Sequence, residues 1–388
     1  MEVYAWRAGP ATERKRPAGD RGLPRRRLSF KIARFAGRFP PGDSPPLQLT
    51  LPWNMRIVLC YPTKPRHLDQ IAAAAPHAEI IDAGQQRIPE AILTADIFCG
   101  HAKERPVPWD QVVQQGRLRW IQSSAAGLDH CLTPPVIPSE IQVTSASGLF
   151  ANQVAEQTLA LLLGVLRSLP VFFHAGLKRE FIRRPTRDLT GATVGIVGFG
   201  GNGRRIAQVL APFRCRILAT DIYPVARPDY VEQLVTAERL DDLLPELDIL
   251  ILAMPLNAAT RGMIAGPQFD RMKPGAILIN VARGPVVVEA DLVQALESGQ
   301  LGGAGLDVTE VEPLAADSPL WTLPNVIITP HVGAQAASRE DDVTNFFCQN
   351  LDRYWRGETL WNLVDKRQGF PTPEHNWVLS PDNPAALI

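Results

Sequence analysis

The chain is poor in cysteine: five in 388 residues, with no C-x-x-C pair among them. An odd, scattered set excludes a disulfide framework and a thiolate zinc site, and fits a reducing, cytoplasmic setting. No two of the seven histidines stand at metal-ligand spacing, so no catalytic metal is expected. Long apolar runs are also missing. The stretch Leu159 to Leu166 is interrupted by Gly164 and falls well short of the roughly 18–20 residues that cross a bilayer, so no membrane span is expected. Net charge is formally zero, yet residues 1–54 hold an excess of seven positive charges and leave residues 55–388 mildly acidic. A nucleic-acid-binding face on the folded part is therefore not expected.

Residues 1–54 are rich in Arg, Pro and Gly and show no sustained apolar period. Such a composition buries too little surface to fold, so this stretch is expected to be a disordered basic extension. A targeting peptide, an anionic-surface tail and sequence read from an upstream start all fit it. Met55 opens the first convincing strand, MRIVLCY, and would be a sensible true start.

From there the text alternates short β-branched runs with helical segments, the signature of an α/β protein with parallel sheets. A first series places strands at Ile57–Cys60, Ile80–Ile81, Ile97–Cys99 and Trp120–Ser123. The segment ANQVAEQTLALLLGVLRSLP then reads as one long apolar helix stopped by Pro170. A second series follows a polar linker: strands Val194–Val197, Ile217–Thr220, Ile249–Ala253, Ile277–Asn280, Ala304–Leu306 and Val326–Thr329, with helices between. The expected fold class is α/β, with two doubly wound parallel-sheet, Rossmann-like domains. The last helical text, EDDVTNFFCQNLDRYWRG, is placed to fold back onto the first domain.

The stretch GIVGFGGNGRRIA carries the strongest local signal. Gly198, Gly200 and Gly203 directly follow an apolar strand, helical text begins at once, and Asp221 ends the next strand. In that context the first glycine permits a tight turn, the second a close approach of backbone to a pyrophosphate, and the third close helix–strand packing. The helix N-terminus offers free N–H groups to the anion. Asp221 can accept hydrogen bonds from both ribose hydroxyls and would repel a 2′-phosphate, which favours NAD over NADP.

Three later stretches, INVARGPVV, GLDVTEVEPL and ITPHVGA, present Arg283, Glu312 and His331, each just after a strand of the second series. Ligands of open α/β sheets bind outside the carboxyl ends of the strands, where these loops gather. Arg283 suits the carboxylate or C2 oxygen of a 2-hydroxy acid through its planar fork. His331 suits the hydroxyl proton as hydride leaves C2. Glu312 would orient the imidazole and favour its protonated form. His101 and Lys103, just past a strand of the first domain, would suit a second acidic group on the substrate, although such loops are usually solvated.

With these motifs in place, the sequence resembles the D-isomer-specific 2-hydroxyacid dehydrogenase family. The matching text runs from Met55 to about Leu363 and includes SSAAGLDH, NQVAEQTLALLLG, VGFGGNG, AMPLNAATRGMI, MKPGAILINVARGPVVVEADLVQAL, GLDVTEVEPL and NVIITPHVGA. The resemblance implies catalytic Arg283, Glu312 and His331, and substrate-carboxylate binding by backbone N–H groups around Ala126 and Gly127. It implies dinucleotide contacts at Gly198, Gly200, Gly201, Asn202, Gly203, Asp221, Pro255, Ala282, Asp307 and Gly333, with Asp307 on the nicotinamide carboxamide. It further implies a homodimer built on the long helix near Val154.

On this basis residues 55–150, with 332–364 returning to them, form a discontinuous substrate domain. Residues 151–331 form the NAD-binding domain, and 365–388 a tail. Two positions depart from the pattern: Gly201 replaces a larger residue, and Asn202 an apolar one. The expected activity is hydride transfer between NAD and C2 of a small D-2-hydroxy or 2-keto acid such as glyoxylate or hydroxypyruvate. An NADH-sensing corepressor of the C-terminal-binding-protein type and a phosphite dehydrogenase remain open alternatives on the same fold.

Overall fold

Strand β1 (Met55–Cys60) is an almost uninterrupted apolar run, and every residue but Arg56 is buried, as a strand covered on both faces requires. It lies between β2 (Ala78–Asp82) and β3 (Ile97–Gly100) in a sheet completed by β4 (Trp120–Ser123) and β5 (Gln142–Thr144). The order is β2-β1-β3-β4-β5 and every pairing is parallel. The computed structural model describes residues 55–380. The basic extension 1–54 and residues 381–388 lie outside the described residues.

The second sheet contains β6 (Thr193–Val197), β7 (Arg216–Asp221), β8 (Gln233–Thr236), β9 (Ile249–Leu252), β10 (Ala276–Asn280), β11 (Leu301–Leu306) and β12 (Val326–Ile328). They are arranged β12-β11-β10-β9-β6-β7-β8, all parallel. Both sheets are thus doubly wound, and the fold class is the one expected. Strand β8 and a short helix Gly266–Arg271 add to the elements expected from sequence. In the second sheet the strand order reverses between β6 and β9. Doubly wound sheets hold ligands at such a reversal, beyond the carboxyl ends of the strands.

The long apolar segment is not one helix. Helix α1 (Ala151–Leu166) ends at Arg167, Ser168 takes φ 54°, and α2 (Leu169–Leu177) leaves at 68° to it. Pro170, expected as a stop, sits in the first turn of α2, where its missing N–H costs nothing. Helix α1 packs Val154, Leu161 and Leu162 with Ile196 and Ile206 in the core of the second sheet. Gly303 and Gly305 of β11 permit this closeness, since a Cβ at either would come within 2.6–2.8 Å of Val165 or Leu161. Helix α3 (Arg339–Trp355) returns to the first sheet, where Val343, Phe347 and Leu351 join Ile57, Leu59 and Trp120 in one core.

No single helix among the described residues is long and apolar enough to cross a membrane.

Candidate active site

The glycine turn is built as its spacing predicts. Gly198 takes φ 90°, and a Cβ there would stand 2.7 Å from the Met254 backbone. A Cβ on Gly203 would stand 2.0 Å from the Gly198 carbonyl oxygen, so this glycine lets the helix Gly201–Leu210 seat on β6. Gly200 faces open space, the room a pyrophosphate needs. The small residue at Gly201 has a different cause: a Cβ would meet Gly148 Cα at 2.6 Å and Val378 Cγ2 at 3.1 Å. The chain's C-terminal segment presses on the turn at that point.

Asp221 ends β7 facing the turn. Its carboxylate accepts from Phe199 N at 2.6 Å and Tyr223 N at 2.8 Å, one bond to each oxygen. Burial pushes its pKa above the ordinary carboxylate value, and those two N–H donors and the Arg204 charge oppose the rise. Arg204 is itself buried, donates to the carbonyls of Ala226 and Val225, and lies over the Phe199 ring. These residues border a cleft of about 880 Å³. Gly198, Gly200, Gly201, Asn202, Asp221, Pro255, Ala282, Arg283, Ala126 and Gly127 all line it. With its open glycine turn, free helix N-terminus and acidic strand end, the cleft fits a dinucleotide.

At the far side of the cleft Arg283 follows β10. Asn280 shapes its loop by accepting from Ala282 N at 3.0 Å and donating to Arg283 O at 3.2 Å. The guanidinium lies directly against Gly127, where a Cβ would come within 1.7 Å of it, and its Nε is 3.6 Å from Asp129. Ala126, Gly127 and Arg283 therefore converge. The loop before Gly127 is held in turn by Arg339, which donates to the Ser124 and Ala334 carbonyls and lies over the Phe150 ring.

Glu312 and His331 form the second group. His331 Nδ1 and Glu312 Oε2 are 2.9 Å apart, and Glu312 Oε1 accepts from Thr309 N at 3.3 Å. Both side chains are roughly two-fifths exposed. His331 has φ 53°, a left-handed conformation that non-glycine residues adopt only when their surroundings impose it. Asp307 supplies that constraint. Its carbonyl accepts from His331 N at 2.8 Å, and its carboxylate accepts from Val332 N, Gly333 N and the Thr329 hydroxyl. Asp307 and Gly333 thus meet each other and, like Glu312 and His331, are not among the residues that border the cleft. The Arg283 and Glu312 loops touch through Gly284, where a Cβ would strike the Thr309 carbonyl at 1.7 Å.

Behind Gly127, His101 and His130 stack with ring centroids 3.8 Å apart. Burial lowers both pKa values, His101 to about 3 and His130 to about 4. Their mutual repulsion adds to the first, and the Arg283 and Lys103 charges oppose protonation of both.

Sequence reasoning missed Asn280, Arg339, Arg204 and the segment beyond Leu363. The first three are single polar residues whose partners lie far along the chain or on backbone atoms, so no spacing marks them. The tail's signal was an apolar residue every few positions in GFPTPEHNWVL, too irregular to stand for a helix or a strand.

Two parallel doubly wound sheets, with a glycine turn at one reversal of strand order, define a two-domain dinucleotide-binding protein. A family model described as the NAD binding domain of D-isomer specific 2-hydroxyacid dehydrogenases matches residues 159–333. The chain is 36% identical over 261 residues to the glyoxylate reductase of Pyrococcus furiosus, covering 64% of this chain and 76% of that one. A D-isomer specific 2-hydroxyacid dehydrogenase family protein from Aeromonas salmonicida superposes with a TM-score of 0.69 at 32% identity, over 80% of this chain and 99% of that one. An NADPH-dependent glyoxylate/hydroxypyruvate reductase from Sinorhizobium meliloti, solved with NADP and sulfate, gives a TM-score of 0.69 at 28% identity, over 81% and 99%. The chain belongs to the D-isomer specific 2-hydroxyacid dehydrogenase family, whose members are NAD(P)-dependent oxidoreductases.

Proposed function

We propose that the protein reduces a small 2-keto acid, glyoxylate or hydroxypyruvate, to the D-2-hydroxy acid with NADH, and runs the reverse oxidation when the ratio of reactants allows. The 2.9 Å pair of His331 and Glu312, on a loop in contact with the one that presents Arg283 to Gly127, carries the reading. The glyoxylate reductase relatives support the substrate class.

Arg283 holds the substrate carboxylate, with the backbone N–H groups near Ala126 and Gly127 completing an anion site. The chemistry the dinucleotide supplies is hydride, given to or taken from C2. With Nδ1 engaged by Glu312, Nε2 of His331 is the ring nitrogen left to exchange a proton with the C2 oxygen. Glu312, itself held by Thr309 N, keeps that imidazole in one orientation. Asp307 is a positioning residue that holds the His331 loop.

On the other side of the cleft Asp221 keeps lone pairs beyond those taken by backbone N–H groups, acceptors for ribose hydroxyls, and a negative charge against a 2′-phosphate. That favours NAD, although the Sinorhizobium meliloti neighbour is NADPH-dependent. The five-stranded half serves as the substrate domain and the seven-stranded half as the NAD domain, dividing near residues 150 and 331. The assembly is a homodimer, because Leu169, Phe173 and Leu177 form an exposed apolar row along α2.

The test is NADH and NADPH consumption by the purified protein over a panel of 2-keto acids, with Arg283→Ala and His331→Ala alongside. Turnover of one acid with NADH, reduced at least about a hundredfold in both variants, is the expected result. Tight NADH binding with no turnover of any acid would overturn the enzyme reading in favour of a dinucleotide sensor.

A further inference from the structure

The residues after Leu363 run across the dinucleotide cleft. They are fastened to the five-stranded half through Asn362, just before them, and through Lys366. Asn362, fully buried, donates to the carbonyls of Ser145 and Ser147 and accepts from Trp377 N at 2.9 Å. Lys366 donates its ammonium to the carbonyls of Val136, Ser139 and Ile141, three acceptors on one backbone stretch. The segment folds into a small hairpin of β13 (Val364–Asp365) and β14 (Phe370–Pro371), with Lys366 in its connecting turn.

The hairpin reaches the seven-stranded half at loops beyond two of its strands. Phe370 meets the ring of Tyr223, two residues past Asp221, edge-on at 6.3 Å. Asn257, in the loop after β9, donates to Gln368 O at 3.0 Å. Farther on, Val378 lies against Gly148 and Gly201, beside the glycine turn. Arg367, Gln368, Gly369 and Phe370 all border the cleft, and no carboxylate among the described residues pairs with the exposed Arg367 side chain.

The place of these contacts identifies which end of a dinucleotide they meet. Asp221 marks the adenosine ribose, whereas Arg283 and His331 mark the reacting end, and the hairpin's ring contact falls two residues past the former, with Asn257 on the next loop toward the latter. We propose that residues 365–371 form the outer wall of the adenosine site, with Phe370 and Tyr223 enclosing the adenosine and Arg367 facing its phosphate. This rests on the dinucleotide reading above. Because the wall is bolted to the half opposite the glycine turn, an adenosine moiety bound there ties the two halves together. Dinucleotide affinity in this chain then depends on a segment far from the glycine motif.

The test compares ligands with and without the adenosine half on the full-length chain. NADH and reduced nicotinamide mononucleotide are titrated by fluorescence into the wild type and Phe370→Ala. Expected is a rise of about tenfold in the NADH dissociation constant with no change for the mononucleotide. An unchanged NADH constant, or equal losses for both ligands, overturns the proposal.

A second readout needs no variant. Trypsin cleavage after Arg367 in the wild type is expected to slow with saturating ADP-ribose and not with nicotinamide mononucleotide; equal rates with the two ligands overturn the proposal even if Phe370→Ala fails to fold. Failure of the wild type to bind NADH at all would overturn the dinucleotide reading and this inference together. NADH binding that ignores Phe370 would overturn this inference alone.

Discussion

Gly127 and Arg283 are separated by more than 150 residues, yet one is small because the other is there. A Cβ at position 127 would stand 1.7 Å from the guanidinium, so Gly127→Ala must displace it. On the proposed chemistry, the KM for the 2-keto acid then rises at least about tenfold while NADH binding is unchanged, a split that steady-state kinetics and direct titration separate. A KM left as in the wild type would remove Arg283 from the substrate site. Asp221 makes a different single-residue test. Replacing it with Ser keeps a hydrogen-bonding oxygen and removes the charge, so NADH affinity is expected to fall and NADPH affinity to rise, shifting their ratio by about tenfold or more. Dissociation constants for both dinucleotides check this, and an unmoved ratio would locate the discrimination elsewhere.

Helix α2 shows what an element can reveal that its residues cannot. Leu169, Phe173 and Leu177 repeat every four positions and so share a face, and that face is solvent-exposed, with Phe173 at 67% and Leu177 at 84%. Phe181, at 90%, continues the apolar surface past the helix end. An apolar row of this length costs solubility unless another surface covers it. A second copy of the chain is the proposed cover, so the Phe173→Asp, Leu177→Asp double variant should run as a monomer in light scattering while keeping its fold by circular dichroism. A dimer that persists in that variant would place the interface on another face.

At the scale of the whole molecule, a histidine pair of the five-stranded half feels the Arg283 charge of the seven-stranded half. His101 and His130 are stacked and half-buried near the Arg283 and Lys103 charges, and both are held neutral, with pKa values of about 3 and about 4. In the unfolded chain each would titrate near about 6.5. Between those values the unfolded state binds more protons, so stability rises with pH there. The stabilisation is complete above about pH 6.5 and is lost as pH falls toward the folded values. At about pH 5 the loss is on the order of 2 kcal/mol for each histidine. Urea midpoints taken near pH 7.5 and pH 5 should fall accordingly, and His130→Phe, which keeps a ring in the stack, should flatten the dependence. An equal fall in the variant would assign the acid sensitivity to other groups.

Much of this protein is written in local pattern. Buried parallel strands must be apolar along their whole length, so β1, β6, β9 and β10 announce themselves, and their alternation with helices determines two doubly wound sheets. The glycine turn is equally legible, because the left-handed φ of Gly198 and the close approach of Gly203 to the Gly198 carbonyl are backbone requirements met within a few residues. The order of Arg283, Glu312 and His331 after successive strands places them at one end of one sheet.

What the pattern could not carry is contact between distant residues. The break falls at Ser168, which takes a left-handed φ, and not at Pro170, which is tolerated in the first turn of the next helix. The left-handed His331 depends on Asp307, whose carboxylate collects its donors only after β11 and β12 pair. The smallness of Gly201, a departure from the expected motif, is explained by Val378 and Gly148. The tail beyond Leu363 has too few apolar residues to fold alone, and it takes shape only because both halves of the cleft offer it backbone carbonyls and a ring to lean on.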